Sequence, residues 1–97
     1  MPKDIYTEYT ALPGHEQQVT AMINELTLAA ILEPGILLCA AYTLDHAPQK
    51  YLIFERYLDE QAFESHITSE CRRQFTAKMS HHMEDEQPAM TRLNALP

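Results

Sequence analysis

A chain of 97 residues, 45% hydrophobic and 22% charged, has the composition of one globular domain and leaves no room for a second, so residues 1–97 are read as a single unit. Its net charge of −7 argues against a nucleic-acid partner, because Arg72 and Arg73 are the one cationic pair and acidic residues surround them. No apolar run approaches the ~20 residues of a membrane span, and the opening MPKDIYTEYT lacks a signal-peptide pattern, so a cytoplasmic protein with no membrane partner is expected.

In chain order, Asp4 to Leu12 carries Ile5, Tyr6, Tyr9 and several threonines, a strand composition ended by Pro13-Gly14. From Glu16 the period changes, with Val19, Met22, Ile23, Leu26, Ala29 and Ala30 on one helical face. Pro34 and Gly35 stop that helix near Leu32. Ile36 to Leu44 is a continuous apolar run that reads as a strand buried on both faces. After a hairpin loop at Asp45–Gln49, Tyr51 to Leu58 forms the next strand. Asp59 caps a short helix that carries Phe63, His66 and Ile67 inward. Ser69 caps another, with Cys71, Phe75, Met79 and Met83 as its inner row. Glu84 to Pro88 is a polar break, and Ala89 to Leu96 adds a weak last strand.

The order β-α-β-β-α-(α)-β predicts an α+β fold of ferredoxin-like topology, with helices on one face of a four-stranded antiparallel sheet. Such a sheet alternates apolar and polar residues, but the two central runs do not. Ile36, Leu38, Ala40 and Tyr42 are opposed by Leu37, Cys39 and Ala41, and Tyr51, Ile53 and Tyr57 by Leu52, Phe54 and Leu58. Both phases are apolar and no spare helix exists, so the second face predicts a homodimer through the sheets. A domain this small, which buries only roughly 60–65% of its unfolded surface, would gain from that partner.

Two ionisable residues stand out. His66 lies on an apolar helix face, where an imidazole is either a satisfied core or capping residue or, because the group titrates near neutral pH, a base. Glu55 interrupts an apolar strand on the side of Tyr51, Ile53 and Tyr57, and needs either a buried hydrogen bond or a raised pKa. As a structural group it would fix the loop after Gly35 or the dimer contact. Tyr6, Tyr9, Tyr42, Phe54, Phe63 and Phe75 would line an aromatic cavity or fill a plain core. His81 and His82 lie at a helix end and point in different directions, a poor metal pair, and no other ligand spacing occurs. Cys39 and Cys71 form no metal or redox motif and read as reduced thiols. Two glycines cannot build a dinucleotide loop. No metal and no cofactor are expected.

Pro13-Gly14-His15-Glu16, Glu33-Pro34-Gly35 and the stretch from Phe54 to Ser69 resemble the antibiotic-biosynthesis monooxygenase family, with its PG-x-E start, E-[PE]-G turn and E-x-[WY] strand end leading through D-E-x-A to H-x-x-S. The resemblance implies a dimeric α+β barrel. It also implies a cofactor-independent monooxygenase of a small phenol or quinol, with His66 and Glu55 as catalytic candidates and Tyr9, Tyr42, Phe54, Phe63 and Phe75 as substrate-binding candidates. The alternatives are an isomerase of a small phosphorylated carbonyl compound, whose branch ends much as Arg92–Pro97 does, and a non-enzymatic ligand-binding dimer. Cys71 stands where many members have a second histidine, Tyr57 where Trp is frequent, and the first strand lacks the Asn of haem-degrading relatives.

Overall fold

The computed structural model describes residues 1–84 and 88–97, and its elements follow the expected order. They are β1 (Lys3–Thr10), α1 (Glu16–Ala30), β2 (Ile36–Leu44), β3 (Ala47–Tyr57), α2 (Glu60–Ile67), α3 (Glu70–Met79) and β4 (Ala89–Leu93). Residues 85–87 of the expected polar break lie outside the described set. The four strands form one antiparallel sheet in the order β2-β3-β1-β4. This is the α+β ferredoxin-like arrangement.

Local chemistry accounts for the joints. Gly14 takes φ +86° in the turn before α1, a conformation that costs L side chains energy. Asp59 and Ser69, both extended, accept hydrogen bonds from Ala62 N (2.8 Å) and Arg72 N (3.2 Å) and start α2 and α3. Ile5, Thr7 and Tyr9 of β1 face the helices and are buried, as the two-residue period of a strand requires. The core divides into two apolar clusters. One gathers Tyr9, Val19, Ile23, Ile53, Phe75 and Met79, and the other Ile5, Ala30, Ile36, Tyr57 and Phe63.

Three expectations are corrected. First, Ile36–Leu44 is not buried on both faces within the chain. As β2 it is an edge strand, and Ile36 alone is buried. Second, the register slips between Ile36 and Leu38, so Ile36 shares the helix-facing side with Cys39, opposite Glu55, while Leu37 and Leu38 are both exposed. Third, Cys71 is exposed and Arg72 takes its place in the inner row of α3. A helix turns about 100° per residue, so residues spaced by four drift around the cylinder whereas Arg72, Phe75 and Met79 return to one seam. Met83 is buried, but beyond the end of α3, through a bridge to Ala11.

Helices pack on one face of the sheet. The other face carries Leu38, Tyr42, Leu52 and Phe54 on the side of Arg56, and Leu38 and Tyr42 are 44% and 58% exposed. On that face Arg56 also binds Asp4 through two bonds of 2.7 and 3.1 Å, which hold the Asp4 carboxyl below its usual range.

Candidate active site

The polar groups of the interior meet where the two apolar clusters adjoin. Strand alternation turns Glu55 toward the helices between Ile53 of one cluster and Tyr57 of the other. The Asp59 cap sets the phase of α2 so that Phe63 and His66 face inward. Only Thr68 and Ser69 separate α2 from α3, and Ser69 Oγ donates to His66 O (2.6 Å) while it caps α3. That junction sets Arg72 beside His66. Glu55, His66 and Arg72 are 2%, 5% and 6% exposed.

His66 Nδ1 lies 2.8 Å from Glu33 Oε2, and Nε2 lies 3.7 Å from Glu55 Oε2 and 3.5 Å from Arg72 Nη1. Arg72 Nη1 is also 3.7 Å from Glu55 Oε1. These three inner separations are longer than a good hydrogen bond, so the groups converge on one region without saturating each other. Tyr57 donates to Glu55 Oε2 at 2.9 Å. Burial first, and then the Glu55 carboxylate, raise the Tyr57 phenol above its ordinary value and keep it a donor. Cys39 faces Glu55 across β2 and β3, and its thiol is pushed up to about 12, mainly by burial. Burial likewise raises Tyr9. Thr7 Oγ1, on the same side of the sheet, is buried without a hydrogen-bond partner among the described residues.

The arrangement can exchange a proton at His66 Nε2 and place a guanidinium beside the anion so formed. The two residues first in line as catalytic candidates, His66 and Glu55, are thus neighbours. The aromatic candidates are divided. Tyr9 and Phe75 pack edge-to-face at 6.4 Å, with the Arg72 guanidinium over Phe75 at 5.8 Å, and Phe63 packs on Tyr57 at 5.3 Å. Tyr42 and Phe54 register with Leu52 and Ala40 on the opposite side of the sheet, away from His66. Tyr6, paired with Phe54, is on that side too. Arg72 and Glu33 are the residues that the sequence reading left out. The seam Arg72-Phe75-Met79 was the available signal for the first, whereas nothing local marks Glu33 as a partner of residue 66.

Phe75 also lines a groove of about 200 Å³ between α1 and α3, together with Met22, Leu26 and Cys71. Away from the cluster, His15 and His82 share an Nδ1···Nδ1 contact of 2.9 Å with ring centroids 5.1 Å apart. The rings meet nearly head-on, the geometry of one N–H···N bond and not of two nitrogens turned toward a metal ion. Among the described residues, no group of three or more His, Cys, Asp or Glu could hold a metal, and no helix is long and apolar enough to cross a membrane.

No curated protein matches the chain in sequence. Solved structures match its fold. A Pseudomonas aeruginosa protein superposes with a TM-score of 0.90 at 21% identity, over 99% of this chain and 95% of its own. A Mycobacterium tuberculosis protein gives 0.91 at 18%, over 100% and 97%. A candidate antibiotic biosynthesis monooxygenase from Deinococcus radiodurans gives 0.90 at 19%, over 100% and 94%. The sequence profile described as antibiotic biosynthesis monooxygenase matches residues 5–78, and it supports a monooxygenase-like role in general terms. That span runs from β1 into the last turn of α3 and holds the whole buried cluster, so the chain belongs to the antibiotic biosynthesis monooxygenase family.

Proposed function

We propose that this chain is a cofactor-independent monooxygenase of a small phenol or quinol, with His66 as the proton acceptor. The observation that carries the reading is a buried imidazole whose Nε2 stands 3.5 Å from a buried guanidinium and 3.7 Å from a buried carboxylate. Incompletely bonded charges are costly inside so small a domain, and such groups concentrate where proteins do chemistry.

The steps follow from the groups present. The substrate O–H bond breaks, its proton forms Nε2–H, and the resulting oxyanion is stabilised by Arg72. The imidazolium is stabilised by Glu33 and Glu55. The electron-rich anion reduces dioxygen, the cosubstrate. A C–O bond forms between the ring carbon and one oxygen atom, and the Nε2 proton passes to the other to give a ring hydroperoxide. The ring C–H and the O–O bonds then break. Loss of water leaves the quinone, so one phenol and one O₂ give one quinone and one H₂O. Tyr9 orients the ring, and Glu55 is the second candidate for moving a proton. The approach is the α1–α3 groove, one of whose lining residues, Phe75, packs against Arg72 and Tyr9.

The same reading takes residues 1–97 as one domain that works as a homodimer through the open face of Leu38, Tyr42, Leu52 and Phe54. Unpaired Cys39 and Cys71 suit a cytoplasmic setting. Oxygen uptake with a panel of phenols and quinols tests the activity. Uptake that is lost in His66→Gln is the expected result. No uptake with any of them, alongside a retained metabolite, would assign a ligand-binding module instead. Exchange of the proton beside a carbonyl would give the same base to an isomerase.

A further inference from the structure

We propose that the Glu33-Pro34-Gly35 turn is a positioning device for His66, in which Glu33 keeps the proton on Nδ1 so that Nε2 is the free nitrogen facing the interior. The proposal rests on His66 being the base, and adds the residue that decides which nitrogen does the work.

Three observations carry it. Glu33 Oε2 is 2.8 Å from Nδ1, and a carboxylate can only accept there, so Nδ1 is the donor. On the other side of the ring, Arg72 Nη1 at 3.5 Å has only protons to offer, which suits an unprotonated Nε2. The third concerns the turn itself. A Cβ on Gly35 would stand 2.8 Å from Ala62 Cβ, so this position touches α2 only because it is glycine. Ala62 and His66 are one turn apart on the same helix face. The close approach at Ala62 therefore sets how far Glu33 reaches along that face to the imidazole.

The turn is pinned on both sides. Glu33 N donates to Ala30 O at 3.0 Å, Ile36 N to Glu33 O at 3.1 Å, and Leu58 N to Gly35 O at 2.9 Å. Free histidine favours the opposite tautomer, with the proton on Nε2. Without Glu33, the nitrogen that faces Arg72 and Glu55 would more often carry a proton and could not take another. The Glu33 side chain is 39% exposed and that of His66 4%, so the carboxylate bridges from solvent to a ring that is itself enclosed.

The test reads the tautomer directly. In ¹⁵N-labelled protein at pH 8, two-bond ¹H–¹⁵N spectra, with His66 assigned by its loss in His66→Gln, are expected to show Nδ1 protonated and Nε2 bare. Glu33→Ala should shift the population toward Nε2–H, Gly35→Ala should do so in part, and Glu33→Gln, whose amide oxygen still accepts, should retain the wild-type pattern. Turnover of the quinol panel should fall about tenfold or more in Glu33→Ala, as for the loss of a group that orients a base, and recover in Glu33→Gln. Protonated Nε2 in the wild type, or a tautomer unchanged in Glu33→Ala, overturns the positioning role whatever the activity. If the tautomer responds as expected but quinol turnover is unaffected by every variant, the positioning role stands and the reading of His66 as the base fails. Thermal melting of each variant separates misfolding from both outcomes. Gly35→Ala preserves the test if Glu33→Ala does not fold, because a tautomer unchanged in folded Gly35→Ala also overturns the role given to the turn.

Discussion

Glu55 depends on Tyr57 for its one hydrogen bond among the described contacts, because Arg72 and His66 stand 3.7 Å away. Tyr57→Phe removes that donor with little change of volume, and should destabilise the fold by about 1–3 kcal/mol, the penalty of an unsatisfied buried acceptor. Urea titration measures it; an unchanged midpoint would mean that Glu55 is satisfied without Tyr57. For His66, Gln keeps a hydrogen bond and abolishes titration, so His66→Gln should reduce oxygen uptake roughly 10²-fold while the melting temperature stays near that of the wild type. A drop in stability with full activity per folded molecule would make His66 a structural group. Cys39 offers a check on the electrostatics. Its thiol is held up to about 12 in the folded chain, against about 8.5 when unfolded. The neutral form is thus favoured by folding, and that contribution is complete below pH ~8.5 and is lost as the pH rises toward 12. Alkylation at pH 8 should label exposed Cys71 and spare Cys39 until urea is added; equal labelling of both in the folded protein would contradict the burial.

At the scale of elements, α3 shows how a helix chooses its inner row. Phe75 and Met79 continue the apolar core, and one position earlier in the same seam stands Arg72, which brings a guanidinium inside without a change of element. Met79 is fully buried, so Met79→Ala should cost roughly 2–5 kcal/mol through lost burial and the cavity left behind. Cys71→Ala, on the exposed side, should cost almost nothing. A calorimetric comparison in which the two substitutions cost the same would contradict the seam. The bulge in β2 acts in the same local way. By absorbing Leu37 it returns Ile36 to the core side, and both leucines that follow Ile36 are left on the outside.

For the whole molecule, the open sheet face is an apolar surface that no helix among the described residues covers. Leu38, Tyr42, Leu52 and Phe54 lie on it, with the Asp4–Arg56 pair among them. Apolar surface of this kind marks an interface, and two-fold pairing of like faces is its simplest cover. Sedimentation at micromolar concentration should give a dimer. Leu38→Asp, which sets a carboxylate into that face, should shift the protein to a folded monomer, because Leu38 does not touch the helices. A wild-type monomer that stays fully folded would sink the proposed dimer. A Leu38→Asp dimer would move the contact to another surface.

The amino-acid order by itself determined the succession of elements, the two capping residues Asp59 and Ser69, the inward phase of His66 and Glu55, and an apolar second face on the sheet. Each is a local property: a period of two or 3.6, or a side chain that bonds its own backbone three residues on. Family resemblance was legible for the same reason, since its motifs sit at turns and caps. What only the tertiary structure decided is which residues meet. Glu33 reaches His66 across 33 positions because Gly35 docks on Ala62, and Arg72 comes beside His66 through the short junction of two helices. Tyr42 and Phe54 separate from Tyr9 and Phe75 because strand register assigns them to opposite faces. The edge position of β2 likewise comes from the order of strands in the sheet. Spacing along a chain fixes which way a side chain points from its own element, whereas the neighbour it points at depends on how separate elements dock.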